Sequence, residues 1–167
     1  MRQAMVLAAA AIGLLGGCGP SEPGGSSATG AAAPRPLTDA ERVSALAALP
    51  APYRDADLAN GRQVFARCRS CHTITPDGPN MTGPNLHGVI GRAAGSHPGY
   101  NYSKALKAAG FAWDGERIDH WLENPRTFLP GNKMSFPGLP DAADRRDVVA
   151  FLSVEGAPQP VAAPPAP

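Results

Sequence analysis

The stretch Cys68-Arg69-Ser70-Cys71-His72 constrains this chain more than any other feature. Two thiols three positions apart, with a histidine directly after the second, have three chemical uses: a metal clip, a redox disulfide or a covalent anchor for haem. A zinc site would need two further thiols or histidines in paired spacing, and the third cysteine, Cys18, lies far upstream. A thioredoxin-like pair would need a βαβ setting, which a helical, loop-rich chain does not offer. Haem fits: the two thiols can form thioethers to the two vinyl groups of one porphyrin edge, and the adjacent histidine then lies under the iron. One haem c, covalent through Cys68 and Cys71 with His72 as an iron ligand, is therefore the expected cofactor.

The surrounding pattern agrees with a cofactor that fills the middle of the fold. Residues 57–67 read as a helix with Leu58, Gly61, Val64 and Phe65 on one side, running straight into Cys68. Ser103 can cap a short helix that ends at Gly110, and Asp114 another that carries Ile118, Trp121 and Leu122 and is stopped by Pro125. The last helix spans 141–154, with Val148, Phe151 and Leu152 on one face. The segments 73–102 and 125–140 are long and loop-like, too long for an ordinary self-supporting core. The expected class is all-α, with short helices and long loops wrapped around one haem.

The ends read differently. Arg2 and the apolar run Ala4–Leu15, too short to span a bilayer comfortably, resemble an export signal. Leu15-Gly16-Gly17-Cys18 resembles a bacterial lipobox, which predicts a signal peptide over 1–17 and lipidation at Cys18. The Gly, Ser, Ala and Pro of 19–36 read as a flexible tether within a linker spanning 18–50. A capping box at Thr38–Glu41, followed by Val43, Leu46 and Leu49, predicts a short helix in that linker, with no partner evident. The haem domain is expected over 51–155 and a disordered Pro- and Ala-rich tail over 156–167. Fifteen Lys and Arg against fourteen Asp and Glu leave no field that would draw the chain to nucleic acid.

The second axial ligand has several candidates: Met81, His87, His97, His120 and Met134. Met134 lies in a loop bracketed by Pro130, Gly131, Pro137 and Gly138 that could present a thioether, though a gap-filling core methionine is its ordinary alternative. Met81 lies in a polar stretch that favours the surface. His87 and His97 flank a glycine-rich loop and are expected to be exposed or satisfied by backbone. His120 falls on the polar side of its helix.

The runs GRQVFARCRSCH, TGPNLHGVIGRAAGSHPGYNYS, WDGERIDHWLENPRTFLPGNKMSF and RDVVAFL resemble, in order and nearly in spacing, the mitochondrial type of class I cytochrome c. The resemblance covers about 57–154 and implies that fold, with His72 and Met134 as the two iron ligands. It implies that the Pro84 carbonyl accepts the other ring N–H of His72, and that Arg92, Tyr102, Ser103 and Trp113 bind or neutralise the haem propionates. Leu86, Leu122, Phe136 and Leu152 match residues lining the crevice, and Gly61 and Phe65 should meet Phe151 where the first and last helices of the domain cross. Three positions depart: Trp121 stands for a tyrosine, Leu106 for an asparagine and Asn132 for a threonine. The basic rim is thinned to Arg67, Arg69, Arg126 and Lys133, with Pro140 and Asp141 at usual lysine positions.

The implied function is single-electron transfer, first from a quinol-oxidising cytochrome bc complex to a terminal oxidase, by a lipid-anchored monomer on the periplasmic face of a bacterial membrane. No catalytic constellation is present, so an enzyme is not expected. Two alternatives stay open: an electron-transfer subunit of one oxidoreductase, and a haem peroxidase if Met134 is displaced.

Overall fold

A side-chain oxygen begins every α-helix among residues 35–158, the part of the chain that the structure, a computed structural model, describes. Thr38 and Glu41 form the reciprocal capping box that starts α1 (Asp39–Ala47). Asp57 accepts the backbone N–H groups of Ala59 and Asn60 at the head of α2 (Leu58–Phe65). Ser103 caps α3 (Lys104–Lys107), Asp114 caps α4 (Gly115–Glu123), and Asp141 caps α6 (Ala142–Glu155). Each cap satisfies N–H groups that the helix itself leaves without a partner. Between α4 and α6 lies α5 (Pro125–Phe128), where the sequence suggests only loop. Pro125 does end α4, but it also occupies the first turn of α5, where its missing N–H costs nothing and Asn124 supplies the cap.

The core forms where α2 and α4 pack on α6. A Cβ on Gly61 would lie 2.2 Å from the Asp147 carbonyl oxygen and 2.9 Å from the Phe151 Cβ, so only glycine allows α2 this close to α6. One turn on, Phe65 meets Phe151 with ring centroids 5.4 Å apart. The crossing expected from sequence is therefore present. The single apolar face read for the last helix is too narrow, however: Val149, Ala150 and Val154 are buried as completely as Val148. The reason is coverage from several sides, since α1 and the 3₁₀ turn Tyr53–Asp55 also pack on α6.

Two buried charges lock this junction. The Asp147 carboxylate accepts the Asp57 backbone N–H and the Asn60 amide and pairs with Arg146. Arg145 donates to the Leu139 and Pro140 carbonyls and pairs with Asp119 of α4, tying the approach to α6 against both helices. Charges this buried are tolerated only because each is paired and hydrogen-bonded. The long segment 73–102 holds no helix or strand; an isolated antiparallel bridge joins Ala93 to Ala112. No helix among the described residues is long and apolar enough to cross a membrane. Cys18 and the lipobox lie outside the described residues, as does the end of the tail beyond Pro158.

Candidate functional site: an apolar crevice between His72 and Met134

The Cys-x-x-Cys-His stretch continues α2 as overlapping tight turns. Cys68 N–H donates to the Phe65 carbonyl, and Cys71 and His72 N–H both donate to the Cys68 carbonyl. Both thiols are free and half-buried. Burial pushes the Cys68 thiol up to about 11, against the opposing pull of Arg67, so before any bond forms it is protonated at neutral pH.

His72 is fixed from two sides. Its Nδ1 lies 2.7 Å from the Pro84 carbonyl oxygen. A carbonyl can only accept, so Nδ1 carries the proton and Nε2 keeps the lone pair that a metal needs. Burial pulls the His72 pKa down while the Pro84 bond opposes it, and the neutral ring is the ligating form. Gly83 cradles the ring: a Cβ there would lie 2.2 Å from the imidazole Cε1. Asn85, which sequence reasoning passed over, holds this segment in place. It is buried, and its amide donates to the Thr73 hydroxyl and the Thr75 and Gly78 carbonyls while accepting the His87 N–H. The only sequence signal would have been an asparagine between Pro84 and Leu86 in a stretch with no helix to satisfy its backbone.

His72 and Met134 line one cavity of about 270 Å³, together with Cys68 and Cys71. Most of its wall is apolar: Leu86, Val89, Leu106, Ile118, Leu122, Phe136, Val148 and Leu152 contribute. Trp121 is part of an aromatic wall, 5.5 Å from Trp113 and 6.0 Å from Phe128 between ring centroids. The substitutions at 106 and 121 thus both make the crevice more apolar. Pro84, Arg92, Tyr102, Ser103 and Trp113 also line it, so the structure brings every site residue expected between Cys68 and Leu152 to one cavity.

Arg92 places a cation at the cavity wall without a carboxylate partner among the described residues. Arg92 donates to the His87 and Asn85 carbonyls and makes no salt bridge among the described residues, while burial lowers its pKa. A half-buried guanidinium with only neutral acceptors suits an anionic ligand. Its backbone is tied down, since the Trp113 N–H donates to the Arg92 carbonyl and the Gly91 N–H to the Trp113 carbonyl. The donor set as a whole fits haem: two adjacent thiols, an imidazole with its Nε2 free, a thioether, apolar walls and a cation for carboxylates.

The remaining candidates fall elsewhere. Met81 is 45% exposed, His120 is exposed, and His97 Nδ1 meets the Pro98 carbonyl at the surface. His87 corrects its expectation: it is half-buried, and its Nε2 is enclosed without a partner among the described residues. Of the basic rim, Arg67 and Lys133 stand at the cavity. Arg67 lies over the Phe136 ring at 5.6 Å, and Lys133 donates to the Asn101 carbonyl.

Comparison with known proteins gives the same region. Residues 58–154 match the family model described as Cytochrome c. Cytochrome c2 of Rhodomicrobium vannielii is 45% identical over 62% of this chain and 82% of its own length. Cytochrome c of Kluyveromyces lactis is 42% identical over 62% of this chain and 96% of its own. Among solved structures, cytochrome cH from Methylobacterium extorquens is 41% identical, with a TM-score of 0.55, covering 58% of this chain and 97% of that one.

Proposed function

The chain belongs to the cytochrome c family, an electron carrier with one haem c bound through Cys68 and Cys71, and from that premise we propose that it works tethered to a membrane, relaying electrons between respiratory complexes. The donor is proposed to be a quinol-oxidising cytochrome bc complex and the acceptor a terminal oxidase. The observation that carries the redox reading is that His72 and Met134 line the same cavity, so an iron bound there would find an imidazole and a thioether as protein ligands. Haem held there would supply one-electron exchange between ferrous and ferric iron.

The chain's own residues do the rest. Cys68 and Cys71 hold the group covalently, and Pro84 keeps His72 in the tautomer and orientation that ligate. Gly83 leaves room for the ring, and the Leu, Val, Ile and Trp side chains exclude water. Arg92, Tyr102 and Ser103 present a cation and hydroxyls at the polar end.

The tether reading rests on the lipobox-like Leu15–Cys18 and the Gly- and Pro-rich run after it. About 30 linker residues at random-coil scaling reach on the order of 30 Å, which confines the domain near one membrane and raises the local concentration of partners there. Docking can then be weak, in keeping with the thinned basic rim.

The ferric protein should show a thioether-to-iron absorption band that Met134→Ala abolishes; a band retained in the variant would remove Met134 from the ligand role. Cys18→Ser should leave the spectrum unchanged and release the protein from the membrane fraction. A wild-type protein found in the soluble periplasmic fraction would end the tether reading. Oxidation of the reduced protein by membranes of the same cell should stop when the terminal oxidase is inhibited.

A further inference from the structure

Met134 enters the cavity from a segment with little support of its own. From residue 133 to residue 138 no backbone group bonds another backbone group among the described residues. What holds the Met134 backbone is the side chain of Asn132, one of the three departures from the family pattern. Its Oδ1 accepts the Met134 N–H at 2.8 Å, and its Nδ2 donates to the Pro125 carbonyl at 2.7 Å and the Leu129 carbonyl at 2.9 Å. Pro125 is buried and opens α5, and Leu129 directly follows that helix. Gly131, with φ of +83°, turns the chain so that the amide can face back toward them.

We propose that Asn132 is a positioning residue whose amide braces the Met134 backbone to α5 and so sets how firmly the Met134 thioether stays on the iron. The inference rests on the reading of Met134 as a ligand. The residue type is matched to the task. One planar amide offers two N–H donors and an acceptor, which are the three bonds observed, whereas threonine has a single donor, aspartate none and alanine neither donor nor acceptor. Glutamine would carry the same groups one methylene too far out. The brace acts next to the ligand and lies outside the junction of α2, α4 and α6, so its loss should loosen the ligand far more than the fold.

Imidazole, a neutral nitrogen ligand, competes with the thioether for ferric iron, and the concentration that removes half of the thioether band measures the hold of Met134. Asn132→Ala should lower that concentration about 10- to 100-fold, as expected from two or three lost hydrogen bonds. Asn132→Asp, which keeps the acceptor for the Met134 N–H but loses both donors and sets a carboxylate against two carbonyls, should shift in the same direction, and Asn132→Thr should recover part of the loss. Asn124→Ala is the control. It removes the cap of α5, where the Asn124 Oδ1 accepts the Thr127 N–H, without touching residues 132–134. The inference is upheld if the Asn132 variants shift imidazole binding well beyond Asn124→Ala at comparable urea stability. It is overturned if wild type shows the band and Met134→Ala lacks it, yet the Asn132 variants need as much imidazole as wild type or follow Asn124→Ala. A wild type with no thioether band overturns the ligand reading itself. Should Asn132→Ala not accumulate, the same comparison between Asn132→Thr and Asn132→Asp decides.

Discussion

Replacing Cys68 and Cys71 together by alanine should leave a chain that cannot hold its tertiary structure without haem. The cavity between His72 and Met134 measures about 270 Å³, and its wall is mostly aliphatic and aromatic, so water entering it finds few hydrogen-bond partners. At about 24 cal/mol per Å³ of unfilled volume, the cost is about 6 kcal/mol. A domain of this size has a total stability of about 5–15 kcal/mol, so an unfilled crevice cancels much or all of it. The helices bordering the cavity, α2, α4 and α6, are the same ones that form the core, so no independent subdomain remains to fold around the gap. The assay is urea unfolding followed by circular dichroism, with the double variant purified free of haem and wild type alongside. The variant should show a shallow, non-cooperative change. A sigmoidal transition within about 1 kcal/mol of the wild-type stability would refute the idea that the cofactor completes the core.

Three further outcomes follow from local geometry. Gly83→Ala places a methyl 2.2 Å from the His72 ring, so the imidazole must leave the Pro84 carbonyl; haem staining of denaturing gels should weaken and the low-spin signal of the ferric protein should change. Gly61→Ala drives a methyl into the Asp147 carbonyl and should cost about 1–3 kcal/mol in urea unfolding, with the absorption spectrum of the surviving folded protein unchanged. Glu41 governs how α1 responds to acid: hydrogen bonds from Arg35 first, then from the Thr38 backbone and hydroxyl, hold its carboxyl well below the usual carboxylate range. A depressed folded-state value means the contribution is complete above the ordinary carboxylate pKa and is lost as pH falls through the lowered one. Protection of the α1 amides from hydrogen exchange, taken relative to the intrinsic rate at each pH, should therefore fall in acid, and Glu41→Gln should remove that dependence.

The parts of the fold legible in the sequence are those governed by neighbours along the chain. The caps at Thr38, Ser103 and Asp114 could be read because a cap needs one oxygen-bearing residue just before an apolar period, whereas Asp57 and Asp141, counted within their helices from the sequence, prove to be caps as well. The cysteine pair and His72 could be read because their spacing carries the chemistry, and the role of Pro84 followed from the family resemblance alone. Pro125 misled in the other direction: a proline that ends one helix is equally suited to open the next, and only the cap from Asn124 tells the two apart. The full burial of α6, the lattice of bonds around Asn85 and the brace at Asn132 depend on groups distant in sequence or on loop geometry. No period encodes them. Asn132 stood out only as a departure from a pattern, and its three bonds give that departure a physical meaning.

The docking of α1 decides where a mechanical load would be felt. None of its residues is buried, and Val43 is 67% exposed, so the helix lies on the domain without entering its core. Arg42 of α1 pairs with Glu155 of α6, 2.5 Å apart, at the far end of α6 from its Asp141 cap. A pull on the chain before Arg35 reaches α1 first and peels a surface helix from its support. The Tyr53–Asp55 turn, which also packs on α6, comes next along the chain and must yield before force arrives at α2. The α2–α6 crossing at Gly61, and the crevice beside it, lie beyond both of these contacts along the chain. The geometry around His72 thus stands behind α1 and the Tyr53–Asp55 turn along any path of load from the N-terminal side.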